Sequence, residues 1–228
     1  MASLLSTPQS RNSMLAAAVV VLRRDGAAGL RVRAVADQAG CSTTGVYTHF
    51  GSKNGLVEAL FVDGFERFDA ALAEVNGSPT PLHHLRAVAL QYRRWATRHP
   101  THYMVMFGGS VPEFEPGDAA RRRALQSFAD LTRWVHDAMT SAELLADEPA
   151  SVAYHLWATI HGYVMLELAS MQPTPDASEE TYAMGLDRVI NGLRAPQSAP
   201  QSAPQSAPRS ASRSASRSAS RSAPRSAP

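Results

Sequence analysis

Apolar side chains recur three and four residues apart along most of the chain, and no stretch alternates apolar and polar residues for long. This spacing is typical of amphipathic helices, whereas a half-buried strand would alternate. The sequence therefore predicts an all-α fold. Caps, glycines and prolines divide the chain into a predicted helix over about 10–25, two short helices within 32–53, and helices over about 53–75, 81–98, 101–107, 117–140, 149–171 and 178–193. The glycine- and proline-rich segment 108–117 is predicted to be a loop.

The second and third predicted helices form a helical pair joined by a tight turn. Gly40 can take the left-handed conformation that ends a helix, and Ser42 can accept a hydrogen bond from a free amide of the next helix. Apolar residues four apart form the inner face of the pair, and polar residues form the outer face of its second helix: Thr43, Thr44, Tyr47 and Thr48. A helix of this size fits the major groove of B-DNA, which is about 12 Å wide. The pattern therefore predicts a helix-turn-helix that reads DNA.

The same segment resembles the TetR family of bacterial transcriptional repressors. Its pattern is Ala-Gly-Val-Ser, a few variable residues, and then Tyr-x-His-Phe-x-Ser-Lys. This chain has Ala39, Gly40, Cys41 and Ser42, followed by Tyr47, Thr48, His49, Phe50, Gly51, Ser52 and Lys53. The likeness extends upstream through an Ala/Val/Leu-rich first helix. Arg31 departs from the pattern, because a Ser or Thr usually caps the second helix there.

The resemblance implies roles for the matching positions. Thr43, Thr44 and Thr48 would face bases next to the helix cap Ser42, while Tyr47, His49 and Lys53 would hold phosphates, and Arg33 on the supporting helix could do either. Lys53 is the only lysine of the chain, and it stands at the start of the fourth predicted helix, where free amides also favour an anion.

The predicted helix over 149–171 is apolar around most of its circumference, which indicates burial on more than one side. A second copy of the chain is the simplest cover for its outer side, so we expect a homodimer whose operator is an inverted repeat. Trp157, His161 and Gly162 also resemble the Trp-His-Gly signature of one carboxy-terminal subclass of the family. A glycine inside a helix indicates that another helix approaches closely there.

Aromatic and methionine side chains are concentrated in the body of the chain. The resemblance implies that a small, mostly apolar effector enters a pocket among the helices and moves the helix-turn-helix elements of the two copies apart. Candidate pocket residues are Trp95, Tyr103, Met104, Phe107, Phe128, Trp134, Trp157, His161 and Met165. The alternative for any one of them is that it only fills the core.

Composition bounds the class of protein. The chain has 228 residues, of which 44% are hydrophobic, and a single cysteine, which excludes an internal disulfide and fits a reducing cytoplasm. The longest apolar run, over 14–22, has nine residues, far short of the ~20 that span a bilayer, so no membrane partner is expected. No signal-peptide pattern is present.

We divide the chain into a helix-turn-helix domain over 10–55, a helical ligand-binding and dimerisation domain over 56–194, and a disordered tail over 195–228. The tail is a repeat of Ser, Ala, Pro, Gln and Arg with five arginines and no acidic residue, so the remainder has a net charge of −3. DNA affinity must then come from a local patch. The tail is either a basic arm on DNA phosphates or an extension without a specific task.

Two other classes of function compete with a regulated repressor. An enzyme is disfavoured because no Gly-x-Ser-x-Gly elbow, phosphate-binding glycine loop or paired carboxylates are found. A constitutive DNA-binding dimer without an effector is the nearer alternative. We expect no cofactor, and no metal, since the histidines lack the i, i+4 spacing of a helical ligand pair.

Overall fold

A computed structural model describes residues 8–112, 114–172 and 178–194 of the protein. Over these residues the fold is entirely helical, apart from an isolated bridge between Leu144 and Arg194. The helices are α1 (Pro8–Gly29), α2 (Val32–Ala39), α3 (Thr43–Phe50), α4 (Lys53–Ala73), α5 (Pro81–Arg98), α6 (Pro100–Phe107), α7 (Asp118–Thr140), α8 (Pro149–Leu168) and α9 (Ser178–Leu193). The prediction of an all-α fold is confirmed. The predicted tail over 195–228 lies outside the described residues.

Side-chain caps explain why several helices begin where the sequence indicates. The hydroxyl oxygens of Ser42, Ser52 and Thr80 accept hydrogen bonds from amides three residues further on, at 3.1, 3.0 and 3.4 Å. Each cap satisfies one of the free amides of a first helical turn. Arg31 precedes α2 without a side-chain cap, as its departure from the family pattern implies.

Three helix ends differ from the prediction. The span of α1 continues beyond residue 25 to Gly29, but with a kink at Gly26 (φ 66°, ψ −171°), so the glycine predicted as a stop is a bend instead. The fourth helix ends at Ala73 rather than 75, and α8 ends at Leu168 rather than 171.

The core runs without interruption from the reading head (α1–α3) into the body (α4–α9). In the head, α1 packs on α2, and α3 packs on α2 and α4. Leu15, Val35 and Val46 are fully buried between them. The long helix α4 then contacts α5, α6 and α7, so one rigid element belongs to both parts of the fold.

Ion pairs join the helices of the body. Arg93 of α5 makes two hydrogen bonds with Glu167 of α8, at 2.6 and 2.8 Å, and both side chains are largely buried. Arg86 of α5 makes a similar pair with Asp187 of α9, at 2.6 and 2.9 Å. Such two-pronged arginine contacts fix the orientation of neighbouring helices as well as their spacing.

A further polar cluster links α4 to α6. Asp63 of α4 is buried, accepts a hydrogen bond from Arg67 at 2.7 Å, and lies 3.4 Å from Nε2 of His102 on α6. Burial alone would raise the pKa of the Asp63 carboxyl, but hydrogen bonds from His102 and Arg67 outweigh it and hold the pKa below its ordinary value. Asp63 is therefore held as an anion in the α4–α6 contact.

Candidate functional site

The turn between α2 and α3 has the geometry that its sequence predicts. Gly40 is left-handed (φ 65°, ψ 34°), a conformation that an L side chain would strain. The amide of Cys41 donates to the carbonyl of Ala36 at 2.9 Å, which closes the end of α2. Cys41 is half-buried, and burial raises the pKa of its thiol. A thiol of this kind is protonated and poorly reactive at neutral pH.

One face of α3 is buried and the opposite face is exposed. Gly45, Val46 and Phe50 face the core of the head. The outer face exposes the four side chains that the spacing places there: Thr43, Thr44, Tyr47 and Thr48. Tyr47 is 52% exposed, which leaves its phenol available to a partner. The Thr48 hydroxyl donates to the carbonyl of Thr44 at 2.8 Å, so its proton is used within the helix.

The other predicted DNA contacts surround this face. Arg33 lies exposed on α2, Lys53 is exposed at the first residue of α4, and His49 is half-buried at the last turn of α3. Ser42 acts as the cap of α3. The structure adds Arg11 of α1, whose guanidinium carbon lies 5.6 Å from the centre of the Phe50 ring. No local pattern in the sequence marks Arg11, because the contact joins helices distant along the chain.

The body contains an apolar cavity of about 690 Å³ bounded by α4, α5, α6, α7, α8 and the loop before α7. Aromatic rings form much of its wall: Phe61, Phe65, Phe68, Tyr92, Phe107, Phe114, Phe128, Trp134, Tyr154 and Trp157. Leucine, isoleucine, valine and alanine side chains fill most of the remainder. The volume is within the range of small-molecule sites, and such sites are usually apolar with few polar groups.

A chain of hydrogen bonds lies against one side of this cavity. Indole N–H groups can only donate, so Nε1 of Trp157 donates to the Tyr92 hydroxyl, at 3.3 Å. The Tyr92 hydroxyl lies 2.7 Å from the Tyr103 hydroxyl, which lies 2.6 Å from Nδ1 of His161. Burial raises the pKa of both phenols and lowers the pKa of His161. A neutral His161 with an unprotonated Nδ1 accepts from Tyr103, which gives the chain one direction from Trp157 to His161.

The structure distributes the predicted pocket residues over three places. Phe107, Phe128, Trp134 and Trp157 line the large cavity. Trp95 and Tyr103 are buried in the core and do not line it. His161 does not line it either, but its ring packs against Phe107 and Trp157 of the cavity wall. Met104 and Met165 line a second cavity of about 400 Å³, between the end of α1 and helices α6 and α8. Spacing along each helix could not separate these groups, because helix rotation about its axis decides which side faces the cavity.

Few polar side chains line the large cavity. Ser127 of α7 donates to the Asp69 carboxylate at 2.7 Å, and Arg121 donates to the carbonyl of Pro116 at 2.7 Å while more than half exposed. Ser110, in the loop after α6, lines both cavities. Within the described part of the chain, no group of three or more His, Cys, Asp or Glu side chains could hold a metal ion. None of the described helices is long and apolar enough to cross a membrane.

Known proteins share this architecture. A solved structure of a protein with unknown function from Rhodococcus sp. RHA1 is 26% identical, with a TM-score of 0.71 over 81% of this chain and 95% of its own. The TetR family transcriptional regulator PfmR from Thermus thermophilus shares the fold at 17% identity, with a TM-score of 0.61 over 79% of this chain and 98% of its own. Rv0681, an uncharacterized HTH-type transcriptional regulator of Mycobacterium tuberculosis (strain ATCC 25618 / H37Rv), is 26% identical over 171 residues, 73% of this chain and 74% of the relative. The fold and the exposed face of α3 thus define a helical DNA-binding transcriptional regulator.

The family follows from two matches on the same chain. Residues 14–60 match the family described as bacterial regulatory proteins, tetR family. Residues 85–189 match the family described as tetracyclin repressor-like, C-terminal domain. The matches cover the reading head and most of the body, together about two thirds of the chain. The chain belongs to the TetR family.

Proposed function

We propose that the protein is a repressor that binds a palindromic operator as a homodimer and is released by a small, mostly apolar effector. The main support for the proposal is that one helix, α4, connects the exposed face of α3 with the large cavity. Lys53 begins α4 beside the exposed face of α3, and Phe61, Phe65 and Phe68 of the same helix line the large cavity. We place the protein in the cytoplasm, where the operator is.

In the DNA complex, Thr43, Thr44 and Thr48 contact base edges, and Tyr47, His49 and Lys53 hold phosphates. Arg33 contacts either a base or a phosphate from the supporting helix, and Ser42 fixes the start of α3. The support is that all of these side chains except the half-buried His49 are exposed, on α2, on α3, at the cap of α3 and at the start of α4. Phosphate contacts set the position of the protein on the duplex, whereas contacts to base edges select the sequence.

The dimer forms through the outer faces of α8 and α9. Large apolar side chains are exposed there, including Tyr154 and Leu166 on α8 and Met184 on α9. At Gly162 an added Cβ would meet no atom of another described helix within 4 Å, so none of the described helices packs into the space that this glycine leaves. A helix of the second copy occupies it in our proposal. We also propose that Trp157, His161 and Gly162 are the Trp-His-Gly signature of that carboxy-terminal subclass.

Effector binding acts through a difference in affinity. Two arrangements of α4 are in equilibrium, and only one of them allows both DNA-binding heads to contact the operator. The effector fills the cavity and binds more tightly to the other arrangement. Only that difference shifts the equilibrium towards release. Asp63, His102 and Arg67 lie on the α4–α6 contact through which the shift would pass.

Selection of bound sequences from random duplex DNA tests the proposal. The expected product is an inverted repeat with half-sites about 34 to 36 Å apart or a multiple of that distance. Tyr47→Ala should weaken binding to all sequences alike, whereas Thr44→Ala should change the preferred base at particular positions. Leu145→Ala, which truncates a similarly exposed apolar side chain between α7 and α8, is the control for Tyr47 and should leave the affinity and the selected sequence unchanged.

Two results would reject the proposal. One is a protein that selects no sequence. The other is identical behaviour of the Tyr47 and Thr44 variants, which would refute the division of roles. A protein that holds its operator in the presence of every apolar compound that fills the cavity would instead be a constitutive DNA-binding dimer.

A further inference from the structure

We infer that the effector is an uncharged, largely apolar molecule with one hydrogen-bonding group, and that the Ser110 hydroxyl binds this group. The inference rests on the proposed function of the large cavity as the effector site, and it adds the chemical class of the ligand and the residue that selects it.

Ser110 has an unusual environment. Its Oγ is buried and has no hydrogen-bond partner among the described residues. A buried hydroxyl without a partner is destabilising, and native structures contain few of them. Ser110 also lines the large cavity, in the loop after α6, so rotation about its single χ1 bond can turn the hydroxyl towards a ligand there. A hydroxyl in this position is satisfied when a ligand in the cavity offers a polar atom.

Most other polar side chains of the described cavity wall already have partners, and the two that have none, Trp134 and Tyr154, are not among the buried unpartnered groups, so water can reach them. The Tyr92 hydroxyl is bonded to Tyr103 and Trp157, and the Ser127 hydroxyl donates to Asp69. Arg121 donates to the carbonyl of Pro116 and is exposed to solvent. A ligand that used one of these groups would have to compete with an existing bond. Ser110 needs no such exchange, so it is the preferred partner.

The charges around the cavity indicate that the ligand is neutral. No acidic side chain is among the described residues that line it, and Arg121 is the one cationic side chain among them. Because the Arg121 guanidinium is exposed to solvent, it would stabilise an anion in the cavity only weakly. An ion that enters a cavity with aromatic walls also loses its hydration, which is unfavourable. A neutral molecule avoids this cost, and a single hydroxyl, carbonyl or ether group is enough to bond Ser110.

The same residue lies at the boundary with the second cavity. That cavity is lined by Leu22 and Ala27 of α1 and by Met165 of α8, as well as by Ser110. The polar end of the ligand is therefore held at the side of the body that faces the reading head, and the apolar part extends among the aromatic rings. This places the selective contact where the effector is closest to α1.

Three compounds with one scaffold test the inference: 4-butylphenol, butylbenzene and 4-butylbenzoate. Their binding to the full chain without DNA is measured by displacement of the neutral fluorescent probe N-phenyl-1-naphthylamine. The phenol should bind more tightly than butylbenzene, and the benzoate at least about tenfold more weakly than the phenol. Ser110→Ala should weaken binding of the phenol about threefold to tenfold and leave butylbenzene unchanged.

Ser127→Ala is the matched control, because it removes a wall hydroxyl that already has a partner. It should affect the phenol and butylbenzene by the same factor. Circular dichroism verifies that each variant is folded. The inference is overturned if Ser110→Ala changes both compounds equally, if the benzoate binds as well as the phenol, or if none of the three displaces the probe. Failure to select an operator would refute the proposed function alone, since these measurements contain no DNA.

Discussion

Replacing Tyr103 by Phe removes a single oxygen from the centre of the hydrogen-bonded chain beside the cavity. The Tyr103 side chain is fully buried, and its hydroxyl bonds Tyr92 at 2.7 Å and Nδ1 of His161 at 2.6 Å. The ring itself is retained, so its contacts with Phe107 and the rest of the core persist. The variant therefore isolates the contribution of the hydrogen bonds that join α5, α6 and α8.

The size of the effect follows from what each partner can recover. Two bonds of a buried hydroxyl, at about 0.5–1.5 kcal/mol each, set an upper range of about 1–3 kcal/mol. Tyr92 can recover part of this loss, because its hydroxyl lies 3.3 Å from Nδ1 of His161 and can donate to it after the change. We expect the free energy of unfolding to fall by about 1–2 kcal/mol.

Urea unfolding followed by circular dichroism measures this difference, and an unchanged dependence on urea concentration shows that both proteins unfold in the same way. Tyr47→Phe is the control, because the Tyr47 side chain is 52% exposed and removal of its hydroxyl in the absence of DNA should change stability by less than about 0.5 kcal/mol. Equal stabilities of the two variants would refute the assignment of a stabilising chain from Trp157 to His161.

Three further changes have defined outcomes. Ser42→Ala removes the cap of α3 and should cost about 0.5–2 kcal/mol; hydrogen exchange should show faster opening of α3, and exchange as slow as in the parent would contradict this role. Gly162→Ala should raise helix stability by roughly 1 kcal/mol within the single chain, yet weaken a dimer packed at α8 about fivefold or more by overpacking; sedimentation equilibrium measures the dimer, and an unchanged or tighter dimer would exclude Gly162 from the interface. Burial lowers the pKa of His161, so the folded state binds a proton at this residue less readily than the unfolded chain does. The stabilising contribution of neutral His161 is therefore present above about pH 6.5 and is lost as the pH falls through the lowered pKa. The urea midpoint should therefore be lower at pH 5.5 than at pH 7.5, and His161→Asn should reduce the difference; a midpoint that rises on acidification has the wrong sign for this mechanism.

Local signals account for the accuracy of the predicted helices. The cap residues Ser42, Ser52 and Thr80 fix three helix starts, and Gly40 fixes an end, because each acts within a few residues of its own position. The bend at Gly26 escaped prediction because a glycine permits both a stop and a kink, and packing of α1 decides between them.

Contacts between distant segments are the part that the sequence does not reveal. Arg86 and Asp187 are 101 positions apart, and nothing in either local pattern indicates their pairing. The cavity shows the same limit. An excess of aromatic residues predicted a pocket, but the division of Met104 and Trp157 between two cavities depends on how each helix is rotated against its neighbours.

The internal bond of Thr48 has a consequence for the operator. Its hydroxyl donates its one hydrogen bond to the carbonyl of Thr44. Towards a base the side chain therefore offers only the oxygen lone pairs and a methyl group. Guanine presents only acceptors in the major groove, whereas adenine and cytosine present amino groups and thymine a methyl group. If Thr48 contacts a base as we propose, the nucleotide that faces it in each half-site should accordingly be any of the four except guanine.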